Sequence, residues 1–192
     1  MSWLLWIIIT FFMKKSRQRT IFACWVLISI LLSNLYLTIQ GHNILLPFII
    51  LIIVITLIHS RLPRQLYHLF VSFTIMIGYT AVLLWQRDTP LWLFIPEFVL
   101  IPVISSMLIF ILIKGFYNRL ITGVLGMSLG EVLYGFILSS YNFQKTIGDM
   151  NFFEVLYFTM AVLVVFNLVQ KGNSKLYVLL DSYKQMLKEQ KA

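Results

Sequence analysis

Three acidic residues, Glu97, Glu131 and Glu154, stand inside long apolar runs, where a solvated charge has no place. Glu131 lies deepest. It sits in LITGVLGMSLGEVLYGFILSS (120–140), eleven positions beyond Leu120, or roughly 16 Å along a helix axis. An ionisable group at that depth in a membrane helix is a candidate functional site and must face the interior of a bundle. Ser128 and Tyr134 fall one turn to either side of it. Glu97 stands between Pro96 and Pro102, about 9 Å from the nearer end of its run. Those prolines free backbone carbonyls, which are tolerated at membrane depth only where protein or water satisfies them. Glu154 lies just inside its own run, near Asp149. Alternating helix directions bring Glu97 and Glu154 to similar depths on one side, so a small polar cavity is expected there.

No Lys or Arg lies deep in any apolar run. A carboxylate without a counter-charge must take a proton or bind a cation. The chemistry on offer is therefore proton or cation handling, with Glu131 as the deep acceptor and Glu97 and Glu154 at the mouth. The alternative is a protonated glutamic acid, hydrogen-bonded to Ser, Tyr or backbone, that fixes helix register. No internal repeat suggests a symmetric transporter.

The run that carries Glu131 also carries a stripe of small residues. Thr122, Gly126 and Gly130 recur every four positions, and Gly123 and Gly135 share the adjacent face with Met127 and Glu131. Small residues at this spacing let helices approach closely, and in lipid such packing is a main source of association. The stripe serves packing within the bundle or a homodimer.

These elements belong to a chain of 192 residues, 60% hydrophobic and 11% charged, with mean hydropathy +0.90. A soluble domain carries about 25% charged residues, so the composition is that of an integral membrane protein. Seven apolar segments are expected as helices: 2–13, 20–39, 44–58, 66–85, 91–113, 120–141 and 152–169. Crossing the hydrocarbon takes about 20 helical residues. Five segments satisfy that, the third is short, and the first is doubtful, leaving six spans if it does not cross. If the segments alternate, thirteen of the fifteen Lys and Arg fall on one side and only Arg87 and Lys145 on the other. The basic side is cytoplasmic. This puts the N-terminus outside and the C-terminus inside, in an all-α bundle over 1–169.

Residues 170–192 form a basic tail. Ser174 is expected to cap a helix whose apolar positions alternate with Lys175, Lys184, Lys188 and Lys191, laid on an anionic leaflet or docked to a partner protein. The excess of positive charge is thus accounted for without nucleic acid. His42, His59 and His68 lack metal-ligand spacing and are expected as solvated loop residues. Cys24, the sole cysteine, is expected as a small buried side chain. No phosphate loop, nucleophile elbow or metalloprotease motif occurs, so neither an enzyme nor a cofactor is expected.

Two stretches, WLLWIIITFFMKKSRQR and GMSLGEVLYGFILSS…YNFQKTIGDMNFFEVLYF, resemble the YphA family of small membrane proteins from Bacillus and its relatives. The resemblance implies a cytoplasmic-membrane protein of a spore-forming bacterium, connected with sporulation or the spore envelope. It carries over no catalytic residue. The expected function is that of a non-enzymatic membrane protein acting by assembly with lipid, with itself or with a membrane partner. The alternative is a small proton- or cation-coupled transporter.

Overall fold

A computed structural model describes the backbone at positions 3, 6–7, 10–11, 17–32, 35–39, 42–88, 97–143 and 145–189. Side chains are described at these positions except 17, 18, 21, 22, 25, 29, 39, 42, 88, 97, 98, 171 and 173–189. The elements are α1 (Arg17–Leu31), β1 (Tyr36–Ile39), β2 (His42–Leu45), α2 (Leu46–His59), α3 (Gln65–Asp88), α4 (Glu97–Leu112), α5 (Phe116–Ser140) and α6 (Met150–Glu189). Of the segment 2–13, only Trp3, Trp6, Ile7, Thr10 and Phe11 are described, and these are helical.

Among the described residues, three helices are long and apolar enough to cross a membrane: Gln65–Arg87, Phe116–Ser140 and Met150–Gln170. Leu46–His59 and Val99–Leu112 are shorter apolar helices. Their outward faces are apolar too. Leu66, Leu69, Phe70, Phe73 and Ile77 are all exposed on α3. In water such a stripe would be a liability, whereas against lipid it matches its solvent.

The segment 20–39 is not one helix. It divides into α1, whose 15 residues reach about 22 Å, and the first strand of an antiparallel hairpin in which Tyr36 pairs with Leu45 and Ile39 with His42. Two residues, Gln40 and Gly41, join the strands, a connection length that suits a hairpin. The second strand takes Ile44 and Leu45 from the third expected helix, so α2 begins at Leu46. Pro47 then falls in its first turn, where the missing N–H costs nothing. A fully α class is thereby amended to a helical bundle with one small hairpin.

The tightest helix pair is not sequential. α3 and α5 run parallel, with α4 returning between them, and the glycine stripe lies between the two. A Cβ at Gly126 would come within 2.7 Å of the Ile75 side chain and 2.9 Å of the Ser72 carbonyl oxygen. At Gly130 it would meet Tyr79 at 2.8 Å and the Met76 carbonyl oxygen at 3.0 Å. The close approach lets hydroxyls bridge the helices. Ser72 Oγ donates to Thr122 O at 3.4 Å, and Thr80 Oγ1 donates to Gly130 O at 3.0 Å. Gly123 faces Ile109 of α4, and Gly135 faces Ile147. The stripe packs the bundle from within, and α5 is buried on most of its faces by α2, α3 and α6.

Three further expectations need correction. Ser174 does not cap a separate helix: α6 is helical without a break from Met150 to Glu189, with Gly172 and Asn173 inside it. The side chains of Lys175, Lys184 and Lys188, and all of Lys191, lie outside the described residues. Cys24 is exposed rather than buried, because it falls on the outer face of α1. His59 and His68 are not solvated. Each is 5% exposed, with the two rings edge-on to each other and His68 packed against Thr122 of α5.

Candidate functional site

Two pieces of chain close one end of the bundle and hold each other. The hairpin meets the 141–149 connection through β2. Leu45 N–H donates to Ile147 O at 3.1 Å, and Ile147 N–H donates to Asn43 O at 2.8 Å, forming a short parallel bridge. Four helices, α2 to α5, separate these segments in sequence and return the chain to the same end. The connection is pinned after this bridge as well. Gly148 adopts φ 72°, and its α-carbon lies so close to the Phe48 ring that a Cβ has no room. Asp149 Oδ1 accepts from Phe152 N–H at 2.9 Å and caps α6.

That pinning hangs Lys145 over the middle of α5. Its Nζ lies 2.7 Å from Glu131 Oε1 and 4.6 Å from the centre of the Tyr134 ring. The Tyr79 hydroxyl donates to Glu131 Oε2 at 3.4 Å. The Glu131 side chain is 2% exposed and that of Lys145 25%. The expectation of an uncompensated carboxylate is therefore corrected. A connection, not a helix, supplies the counter-charge.

Beside this pair is a cavity of about 450 Å³. α3 contributes Tyr79, Gln86 and Arg87 to its wall, α5 contributes Glu131 and Tyr134, and α6 contributes Asn151 and Glu154. Lys145 and Asp149 complete the polar wall, and Leu83, Ile101, Phe152 and Val155 make it apolar elsewhere. At the rim, the Arg87 guanidinium stacks 3.9 Å above the Phe143 ring.

Of the five residues expected in a polar site, Glu131, Tyr134 and Glu154 line this cavity. Ser128 does not. It is fully buried, and its hydroxyl has no hydrogen-bond partner. Glu97 opens α4, and its side chain lies outside the described residues. Tyr79, Gln86 and Lys145 are wall residues to which the sequence reading does not point. For Lys145 there was a signal: it is one of only two bases on the side otherwise free of them.

The opposite end holds a second polar cluster. His68 Nδ1 lies 3.3 Å from Thr122 Oγ1, and the His59 ring stands edge-on to it with centroids 6.4 Å apart. Tyr67 OH donates to Leu112 O, and Arg119 Nε to Ile113 O, both at 2.6 Å. The first bond ties the start of α3 to the end of α4, and the second closes the α4–α5 turn on itself. Among the described residues, no group of three His, Cys, Asp or Glu is disposed to hold a metal.

The family described as YphA-like integral membrane protein matches residues 1–191. The chain belongs to that family. A relative from Bacillus subtilis (strain 168), described as "Uncharacterized protein YphA", is 25% identical over 160 residues, covering 77% of this chain and 72% of that protein. No solved structure matches the chain. Membership makes this YphA-like chain a multi-pass protein of the cell membrane, in contact with the lipid bilayer.

Proposed function

We propose that this protein is a non-enzymatic membrane protein that binds a small polar solute in the cavity at its hairpin end, with Glu131 as the charge that holds it. One observation carries the reading: a 98%-buried carboxylate, ion-paired by a residue from a connection, stands in the wall of a cavity of about 450 Å³. Burying such a pair is costly, and apolar side chains of similar volume often serve stability as well or better. Its presence here favours a role in binding. The transport reading extends this one, with the solute or a coupled cation passing Glu131. Assembly through the glycine stripe is less favoured, because α3 already covers Gly126 and Gly130. The implied link to sporulation draws no support from the relative or from the fold.

In this proposal the hairpin end faces outward. Arg61, Arg64, Lys114 and Arg119, in and beside the turns at the opposite end, support that orientation, as does the return of the 141–149 connection to the hairpin. Crossing by α1 and by 2–13 completes seven spans, with the C-terminus inside. A cysteine added at the C-terminus of a Cys24→Ser background should then resist an impermeant thiol reagent in intact cells, and labelling there reverses the orientation.

The function is tested by complementation in a strain where deletion has a phenotype. Glu131→Gln and Tyr79→Phe should fail to complement at normal protein level. If Glu131→Gln complements fully, the cavity is not the working site.

A further inference from the structure

The end of the cavity is filled by part of the protein itself. From Cβ outward, a lysine side chain is n-butylammonium, and Lys145 presents this group to three partners that together make an ammonium site. The Glu131 carboxylate is 2.7 Å from Nζ. The Tyr134 ring lies beneath it at 4.6 Å, within the range of a cation–π contact. Tyr79 OH holds the other carboxylate oxygen. All three partners sit on long helices zipped together by glycines, whereas Lys145 sits on a connection pinned at Ile147 and Gly148. Neighbouring Asn142 and Phe143 are exposed. Side-chain rotation alone can carry the ammonium of Lys145 out to the rim. The acceptor is rigid and its occupant is movable.

We propose that the Glu131–Lys145 pair is the self-occupied form of a binding site for a primary ammonium group on a short alkyl chain, and that a ligand of this class displaces Lys145 from Glu131. The inference rests on the cavity reading above and names its ligand class. Tyr134 and Tyr79 favour a cation over an anion, and the single carboxylate, reached end-on by Nζ, suits a primary ammonium better than a bulky quaternary one. The cavity has room for more than a butyl chain, so the ligand carries a further polar portion toward Gln86, Arg87 and Asn151. The same ammonium could come from a dissolved amine or from an ethanolamine lipid headgroup.

The experiment uses the full chain in nanodiscs of phosphatidylcholine alone, with n-butylammonium chloride as probe and n-butanol, tetramethylammonium chloride and sodium chloride as controls. Binding is read by calorimetry and by thermal protection. The wild type should respond to n-butylammonium above the controls. Lys145→Ala should bind it at least tenfold more tightly, because a tethered competitor present more than 90% of the time lowers apparent affinity by that factor. Lys145→Met, which refills the space without a charge to hold it on Glu131, should bind it at least as tightly as the wild type. Glu131→Gln should abolish the response in either background. If neither the wild type nor Lys145→Ala distinguishes n-butylammonium from sodium chloride, the proposal is overturned. Should Lys145→Ala fail to accumulate, the wild type and Glu131→Gln decide alone.

Discs containing phosphatidylethanolamine separate the sources. A headgroup ligand protects Lys145→Ala without added probe and blunts the butylammonium response, whereas a dissolved amine leaves both unchanged. Failure of Glu131→Gln to complement, together with no ammonium binding, rejects the ligand class and keeps the cavity reading.

Discussion

Removing the two halves of the Glu131–Lys145 pair should have unequal costs, and the inequality follows from where each side chain is rooted. Glu131 projects from the most buried helix and cannot reach water, its side chain being 2% exposed. In Lys145→Ala its carboxylate keeps the Tyr79 hydroxyl at 3.4 Å and loses the ammonium. Stripping one partner from a buried pair costs about 3–5 kcal/mol. Lys145 is already 25% exposed, and after Glu131→Gln it can swing to the rim. The loss is then one charge-assisted hydrogen bond, about 1.5 kcal/mol at the lower end of the usual range. The double variant buries no charge and should fall near Glu131→Gln alone. It should therefore be more stable than Lys145→Ala by about 2 kcal/mol, whereas independent losses would leave it less stable than either single variant. Equilibrium unfolding of the four proteins in mixed micelles measures the cycle. If Lys145→Ala costs no more than Glu131→Gln, or if the two losses simply add, the pair is not buried as described.

The glycine zipper makes its own prediction. Gly126→Ala pushes a methyl against Ile75 and the Ser72 carbonyl, so α3 and α5 must separate, at about 1–3 kcal/mol in the same unfolding assay. Gly130→Leu, facing Tyr79 and the Met76 carbonyl, should prevent folded protein from accumulating, as judged by size-exclusion in detergent. Gly148→Ala combines a positive φ with contact against Phe48. It should loosen the hairpin cap and speed amide exchange at Leu45 and Ile147 more than in α3. His59→Phe should be neutral or stabilising by up to about 1 kcal/mol, because His59 Nε2 is buried without a partner and replacing it leaves nothing unsatisfied.

The sequence disclosed what depended on periodicity within one element. The four-residue recurrence of Thr122, Gly126 and Gly130 placed small residues on one stripe, and counting from Leu120 placed Glu131 deep. What it hid depended on distant segments meeting. The strands Tyr36–Ile39 and His42–Leu45 are only four residues each, too short for a period of two to stand out from an apolar helix run. Lys145 reads as an ordinary loop base until the chain is seen to fold back over α5. His59 and His68 look like loop residues because they flank a polar turn on which Arg61 and Arg64 are exposed, and it is the packing of α3 on α5 that encloses His68. The parallel pairing of α3 with α5 skips α4 and leaves no local trace.

The uninterrupted length of α6 has a mechanical consequence. Its first two turns bear Asn151 and Glu154, and its forty residues measure about 60 Å, roughly twice the thickness of the hydrocarbon. A tilt of about 5° pivoting on those turns would sweep the far tip through about 5 Å. A rod of this kind is a lever. A small displacement of its first turns, beside Glu131, would be enlarged toward its far end near Lys188.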